Sequence, residues 1–185
     1  MSDVKRVGPC RYVASSAKPR MDRPPMRFFR CTEGTVLRGS FPEGAGCTVT
    51  CCGSPTQELI PQEAESLPAD RQLTYDIVGG LNENCIRAFW QGKTPDWLYL
   101  ETFTGGQHML LKSKKRPPAV FALAGEDAYA YCDKDPCIKC SFRCKSGFVL
   151  YAYFEDEGLY ALPVNQIAAT PGSGASTTRT PQHNQ

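Results

Sequence analysis

The sequence predicts an α+β fold: a mainly antiparallel sheet, with helix around residues 57–91 and disordered tails at both ends. Three observations point there. Short apolar runs bounded by Gly and Pro turns dominate residues 27–56 and 96–164. Between them Leu73, Ile77, Leu81, Cys85 and Phe89 recur at steps of four, the spacing of one helix face. The two ends are rich in proline or in small polar residues, which bury little.

Taken in order, residues 1–26 form a basic arm in which Pro9, Pro19, Pro24 and Pro25 exclude helix. From Arg27 the runs RFFRCTE, TVLRGSF and CTVTCC read as strands. QELIPQEAESL reads as a short acidic helix, with Pro61 tolerable only near its first turn. The segment ADRQLTYDIVGGLNENCIRAFW carries the step-of-four pattern. Gly79 and Gly80 interrupt it, giving one kinked helix or two shorter ones. DWLYLETF, HMLLK, AVFALAG and DAYAYC are strand-like, and GFVLYAYF pairs with GLYALPV through the turn EDEG. The layout is therefore an arm (1–26), one domain (27–168) and a disordered C-terminal linker (169–185).

A hydrophobic fraction of 41% in 185 residues is enough for one globular core. The net charge of +2 excludes a polyanion binder over the whole surface, but the charge is segregated. Lys5, Arg6, Arg11, Lys18, Arg20, Arg23, Arg27 and Arg30 face only Asp3 and Asp22 in the first thirty residues. Glu58, Glu63, Glu65, Asp70 and Asp76 crowd residues 57–76. The N-terminus lacks an apolar signal region and no run of eighteen apolar residues occurs, so neither secretion nor a membrane span is expected. In a reducing compartment the ten cysteines would then be thiols or thiolates.

Cys132, Cys137, Cys140 and Cys144 fall in the run YCDKDPCIKCSFRC. A pair two residues apart can turn both sulfurs toward one ion, so zinc is the favoured occupant and these four the expected ligands. The loop is shorter than most four-cysteine fingers, and ligands borrowed from Cys47, Cys51 and Cys52 would complete a better geometry. Such a zinc would be structural. The spacing of the first three also fits a plant-type iron–sulfur loop, although Asp133, Lys134, Asp135 and Pro136 replace its small residues. The plain alternative is four ordinary cysteines.

NENCIRAFW around Cys85 is similar to the start of the catalytic helix in papain-like leader proteases of picornaviruses, where Asn-Cys-Trp opens the helix. A thiol at a helix N-terminus is activated by the dipole. That resemblance implies a protease with Cys85 as nucleophile and His108 as base. Ile86 stands in place of the aromatic residue, and no Gly-His-Ala motif follows. The periodicity instead places Cys85 in the core, and the expectation is that the protein is not an enzyme.

Lys112, Lys114, Lys115 and Arg116 form a basic turn that suits phosphate or plain solvation. The arm, with Tyr12, Phe28 and Phe29 interleaved among its cations, suits RNA better. A Met start, a terminal Gln185 after a polar linker, a length of 185 and a Pro/Arg-rich opening give the chain the layout of a picornavirus leader protein. It most resembles the non-proteolytic kobuvirus type. The resemblance implies a product released from a polyprotein into the host cytoplasm, supporting viral RNA replication and encapsidation. Its implied partners are viral RNA, replication proteins and host proteins of the antiviral response.

Overall fold

Two segments near the middle of the chain dictate the architecture. In WLYLE every residue is buried, and in FVLYAYF only Val149 is half-buried. Side chains alternate between the faces of a strand, so a strand buried throughout must lie in the middle layer of a stack. The computed structural model describes residues 25–41, 44, 46, 48–78, 84–111, 115–128, 145 and 147–164, and it places both segments in such a layer. In chain order the strands are β1 (Met26–Arg30), β2 (Val36–Ser40), β3 (Thr50–Cys51), β4 (Ser54–Pro55), β5 (Gln57–Leu59), β6 (Gln62–Glu63) and β7 (Leu73–Val78). They continue as β8 (Cys85–Trp90), β9 (Trp97–Glu101), β10 (Gly106–Leu110), β11 (Ala119–Ala122), β12 (Phe148–Phe154) and β13 (Gly158–Val164).

The middle sheet has the order β10-β9-β12-β13-β6, antiparallel except where β13 meets β6. Register decides what each face carries. Tyr151 lies opposite Tyr99 and Tyr153 opposite Trp97, while Leu150 faces Leu100 and Ala152 faces Leu98. One face is thus aromatic and the other aliphatic. The sheet β11-β8-β7 covers the aliphatic face, where Leu98, Leu100, Leu150 and Phe154 share a core with Ile77, Ile86, Trp90 and Phe121. The sheet β2-β1-β5 covers the aromatic face through Phe28, which is fully buried. Phe28 lies 5.8 Å from Trp97 in a stacked arrangement and 4.9 Å from Tyr151.

The helix expected around residues 57–91 does not form. Among the described residues that stretch consists of β5, β6, β7 and β8, with 3-10 turns at Ala64–Ser66 and Ala69–Arg71. The fold is a layered β-sandwich and not α+β. The reason is arithmetic: a step of four is even, so it also keeps residues on one side of a strand. What separates the two is composition, and LTYDIV and CIRAFW are rich in the β-branched and aromatic residues that suit a pleated surface. β7 and β8 pair from Leu73 opposite Trp90 to Val78 opposite Cys85. Leu73 and Ile77 face the core, but on β8 it is Ile86, Ala88 and Trp90 that do, leaving Cys85 and Phe89 on the outer side.

The strands read from RFFRCTE, TVLRGSF, DWLYLETF, HMLLK, AVFALAG, GFVLYAYF and GLYALPV are all present. The expected strand at DAYAYC is replaced at its start by the 3-10 turn Gly125–Ala128, and its remainder lies outside the described residues. In EDEG, Gly158 takes a φ of +106°, a conformation open to glycine. Gly106 is needed for another reason. A methyl group there would overlap the Tyr99 hydroxyl and come within 2.6 Å of the Leu100 carbonyl.

Candidate functional site

Among the described residues, β2 and β10 are edge strands of their sheets, and the two edges flank a cleft of about 300 Å³. Alternation sets its walls: Val36 and Arg38 project from one strand, His108 and Leu110 from the other. Its floor is the aromatic face, with Phe28, Trp97 and Tyr153. Trp97 and Tyr153 are stacked at 5.0 Å. Gly34, Asp96 and Glu155 close one end. Leu110 is 74% exposed at the rim of the cleft.

The polar groups are held in place by the fold. The Arg38 guanidinium sits 5.1 Å above the Tyr99 ring. His108 meets Trp97 edge-on at 5.4 Å, and burial, with the charge of Arg38, lowers its pKa and favours the neutral ring. Asp96 accepts the Glu155 N–H at 2.7 Å, and the Glu155 carbonyl accepts Arg30 Nη1 at 3.1 Å. Tyr153 is 3% exposed, yet its hydroxyl has no hydrogen-bond partner. Burial pushes its pKa up; Arg30 opposes the shift, and Glu155 and Asp96 add to it. A buried hydroxyl left unpaired costs stability and suits a donor or acceptor brought by a ligand.

Cys85 and His108 do not meet. Cys85 lies within a strand, not at a helix N-terminus, and its side chain is on the outer side of the β11-β8-β7 sheet. Its neighbours are Asp76 and Arg87, which are ion-paired (Nε to Oδ1, 2.7 Å), and burial raises its pKa. His108 belongs to the opposite outer face, because its neighbours Gln107 and Met109 are the ones turned toward the aliphatic core. The middle sheet and that core lie between thiol and imidazole.

The cluster Cys132, Cys137, Cys140 and Cys144 lies outside the described residues, as does Cys47. Its two flanks are described. Ala128 precedes residues 129–144 and Lys145 follows them, and the fully buried Lys145 donates from Nζ to the Ala128 carbonyl at 2.8 Å. The neck of the cysteine segment is thereby clamped shut. Among the described residues, no group of three or more His, Cys, Asp or Glu side chains is placed to hold a metal ion.

The arm loses part of its expected RNA surface. Phe28 and Phe29 are buried, and Arg27 makes a two-pronged pair with Glu58 at 2.6 and 2.5 Å. The cations before Arg27, with Tyr12, fall outside the described residues, as do Lys112 and Lys114. No helix among the described residues is long and apolar enough to cross a membrane. Sequence reasoning missed the cleft residues Arg38, Trp97 and Tyr153. The available signal was aromatic residues at alternate positions of two strands buried on both faces.

No family model matches the chain, and no curated protein matches it. Among solved structures it is similar to the superoxide reductase from Treponema pallidum, with a TM-score of 0.50 and 16% identity. The match covers 77% of this chain and 99% of that one. At that identity the likeness is one of fold.

Proposed function

We propose that this chain is a non-enzymatic accessory protein of the viral-leader kind, released from a polyprotein into the host cytoplasm and acting by binding. The observation that carries the binding role is the cleft: two strand edges without a strand partner among the described residues, over an aromatic floor, with the unpaired Tyr153 hydroxyl at its base. Free edges offer backbone donors and acceptors to an extended segment, and alternate side chains give the pocket its selectivity. The occupant is an extended segment of a replication protein or of a host protein of the antiviral response. The leader assignment itself rests on the resemblance in character to leader proteins, a Pro/Arg-rich opening stretch and a small, polar stretch after the domain. The cations of the arm contact viral RNA in replication and encapsidation. Zinc held by Cys132, Cys137, Cys140 and Cys144 stabilises the segment whose neck Lys145 closes.

The test is a replicon in which the chain is the first product of the polyprotein. Val36→Asp with Leu110→Asp should lower RNA replication about tenfold while release of the chain continues, as expected for loss of an apolar contact. Cys85→Ala should change neither. Failure of release with Cys85→Ala would overturn the non-enzymatic reading, and normal replication with the cleft variant would overturn the binding role.

A further inference from the structure

The cleft between β2 and β10 has two electrically different ends, and strand register fixes which is which. Trp97 on β9 lies opposite Leu110 on β10 and opposite Tyr153 on β12, while Tyr99 lies opposite His108 and Tyr151. Asp96 precedes Trp97 in the chain and joins Gly34 and Glu155 at the Leu110 end. Arg38 lies over Tyr99 and so belongs to the His108 end. Burial and the charge of Arg38 both favour the neutral His108 ring, so His108 adds no charge there. Trp97 and Tyr99 are two residues apart on one strand, which offsets the acidic and basic ends by about 7 Å.

The acidic end is not satisfied from within. Asp96 Oδ2 accepts the Glu155 N–H at 2.7 Å, a bond that leaves its charge unpaired. The cations nearby are engaged elsewhere: Arg30 Nη1 donates to the Glu155 carbonyl at 3.1 Å, and Lys93 is paired with Asp156. Among the described residues, neither the Asp96 nor the Glu155 carboxylate takes part in an ion pair. Tyr153, 3% exposed, brings a hydroxyl without a hydrogen-bond partner. Burial raises its pKa, Arg30 opposes the rise, and the Glu155 and Asp96 charges add to it, which places the hydroxyl within the field of both carboxylates. Three acceptor groups thus gather at one end of an aromatic floor.

We propose, on the premise that the cleft is a binding site, that it takes an extended protein segment bearing a basic and an acidic side chain two residues apart. An extended chain turns residues i and i+2 to the same side at about 7 Å, the offset of the two ends. The basic side chain lies along the floor, packs its aliphatic stem on Trp97, and donates to Asp96, Glu155 and the Tyr153 oxygen. The acidic side chain meets the Arg38 guanidinium, whose fork matches a carboxylate. The residue between them points away from the cleft and is unrestricted.

The experiment pans a phage-displayed library of random linear peptides against the full-length chain, with Val36→Asp plus Leu110→Asp as the counter-selection. Peptides that depend on the cleft should be enriched in a basic and an acidic residue two positions apart. Alanine in place of the basic residue should weaken binding about tenfold in isothermal titration calorimetry, and in place of the acidic residue about fivefold. Asp96→Asn with Glu155→Gln, a change of charge but not of shape, should remove the preference for the basic residue alone. Arg38→Glu should turn the acidic preference into a basic one. Cleft-dependent peptides without this charge rule would overturn the proposal and leave the binding role standing. Peptides that bind the counter-selection variant as well as the parent, or a library without binders, would overturn both. The parent-selected sequences decide this even if a variant does not fold.

Discussion

Tyr153 poses the sharpest question about a single side chain. Its ring is stacked on Trp97 and covered, so the hydroxyl was taken out of water without receiving a partner. Such a group costs about 1–3 kcal/mol, and removing it should cost nothing. Tyr153→Phe is therefore expected to match or exceed the parent in urea unfolding, by up to about 1 kcal/mol. A loss of more than that would mean that the hydroxyl is paired in solution. Glu58 gives a pH prediction. Its hydrogen bonds from Arg27 hold its pKa below the usual carboxylate value, so the pair stabilises the fold above the unfolded-state value, about 4.3, and the gain is lost as pH falls through the lower folded value. Both side chains are about one-third exposed, which reduces the gain to about 0.5 kcal/mol. The stability difference between the parent and Glu58→Gln should be present at pH 7 and vanish in strong acid. A difference that persists there would point to packing and not charge.

At the scale of elements, what holds the β2-β1-β5 sheet in place is largely Phe28. It is fully buried among Trp97, Tyr99 and Tyr151, and no other side chain of β1 enters that cluster as deeply. Phe28→Ala should cost about 3–5 kcal/mol in denaturant unfolding and open the cleft floor. A cost below about 1 kcal/mol would show that the sheet is held elsewhere. The neck of the cysteine segment makes a parallel case. Lys145 is fully buried with a hydrogen bond to the Ala128 carbonyl, and Lys145→Ala strips that carbonyl of its donor. The expected loss is about 2–4 kcal/mol. These elements also show what could be read beforehand. WLYLE and FVLYAYF announce themselves as strands because their apolar and aromatic runs are unbroken, the charged Glu101 coming only at the end of the first. The segments around Leu73 and Cys85 do not, because steps of four fit both periods and only the pairing of Leu73 through Val78 with Trp90 through Cys85 removes the ambiguity. The cleft was illegible for a related reason. Its walls come from residues 36–38 and 108–110, brought together by a stacking of sheets that local sequence does not encode.

At the scale of the whole molecule, two apolar clusters pack on opposite faces of the middle sheet. Among the described residues the middle sheet is covered on both faces by the two three-stranded sheets. The cations that the arm contributes to charge segregation precede Arg27, whereas Arg27 itself is committed to Glu58. Folding and the proposed RNA contact should therefore separate physically. A chain trimmed to residues 25–164 is expected to unfold cooperatively within about 2 °C of the full chain, a shift equivalent to only a few tenths of a kcal/mol. The same trimmed chain should lose its affinity for single-stranded RNA, and the full chain's affinity should fall steeply with added salt, since each phosphate contact releases counterions. Loss of cooperative unfolding on trimming would place residues 1–24 or 165–185 against the sandwich. Undiminished RNA binding by the trimmed chain would move the contact from the arm to the sandwich surface, where Arg38 and Arg116 would be the first cations to replace.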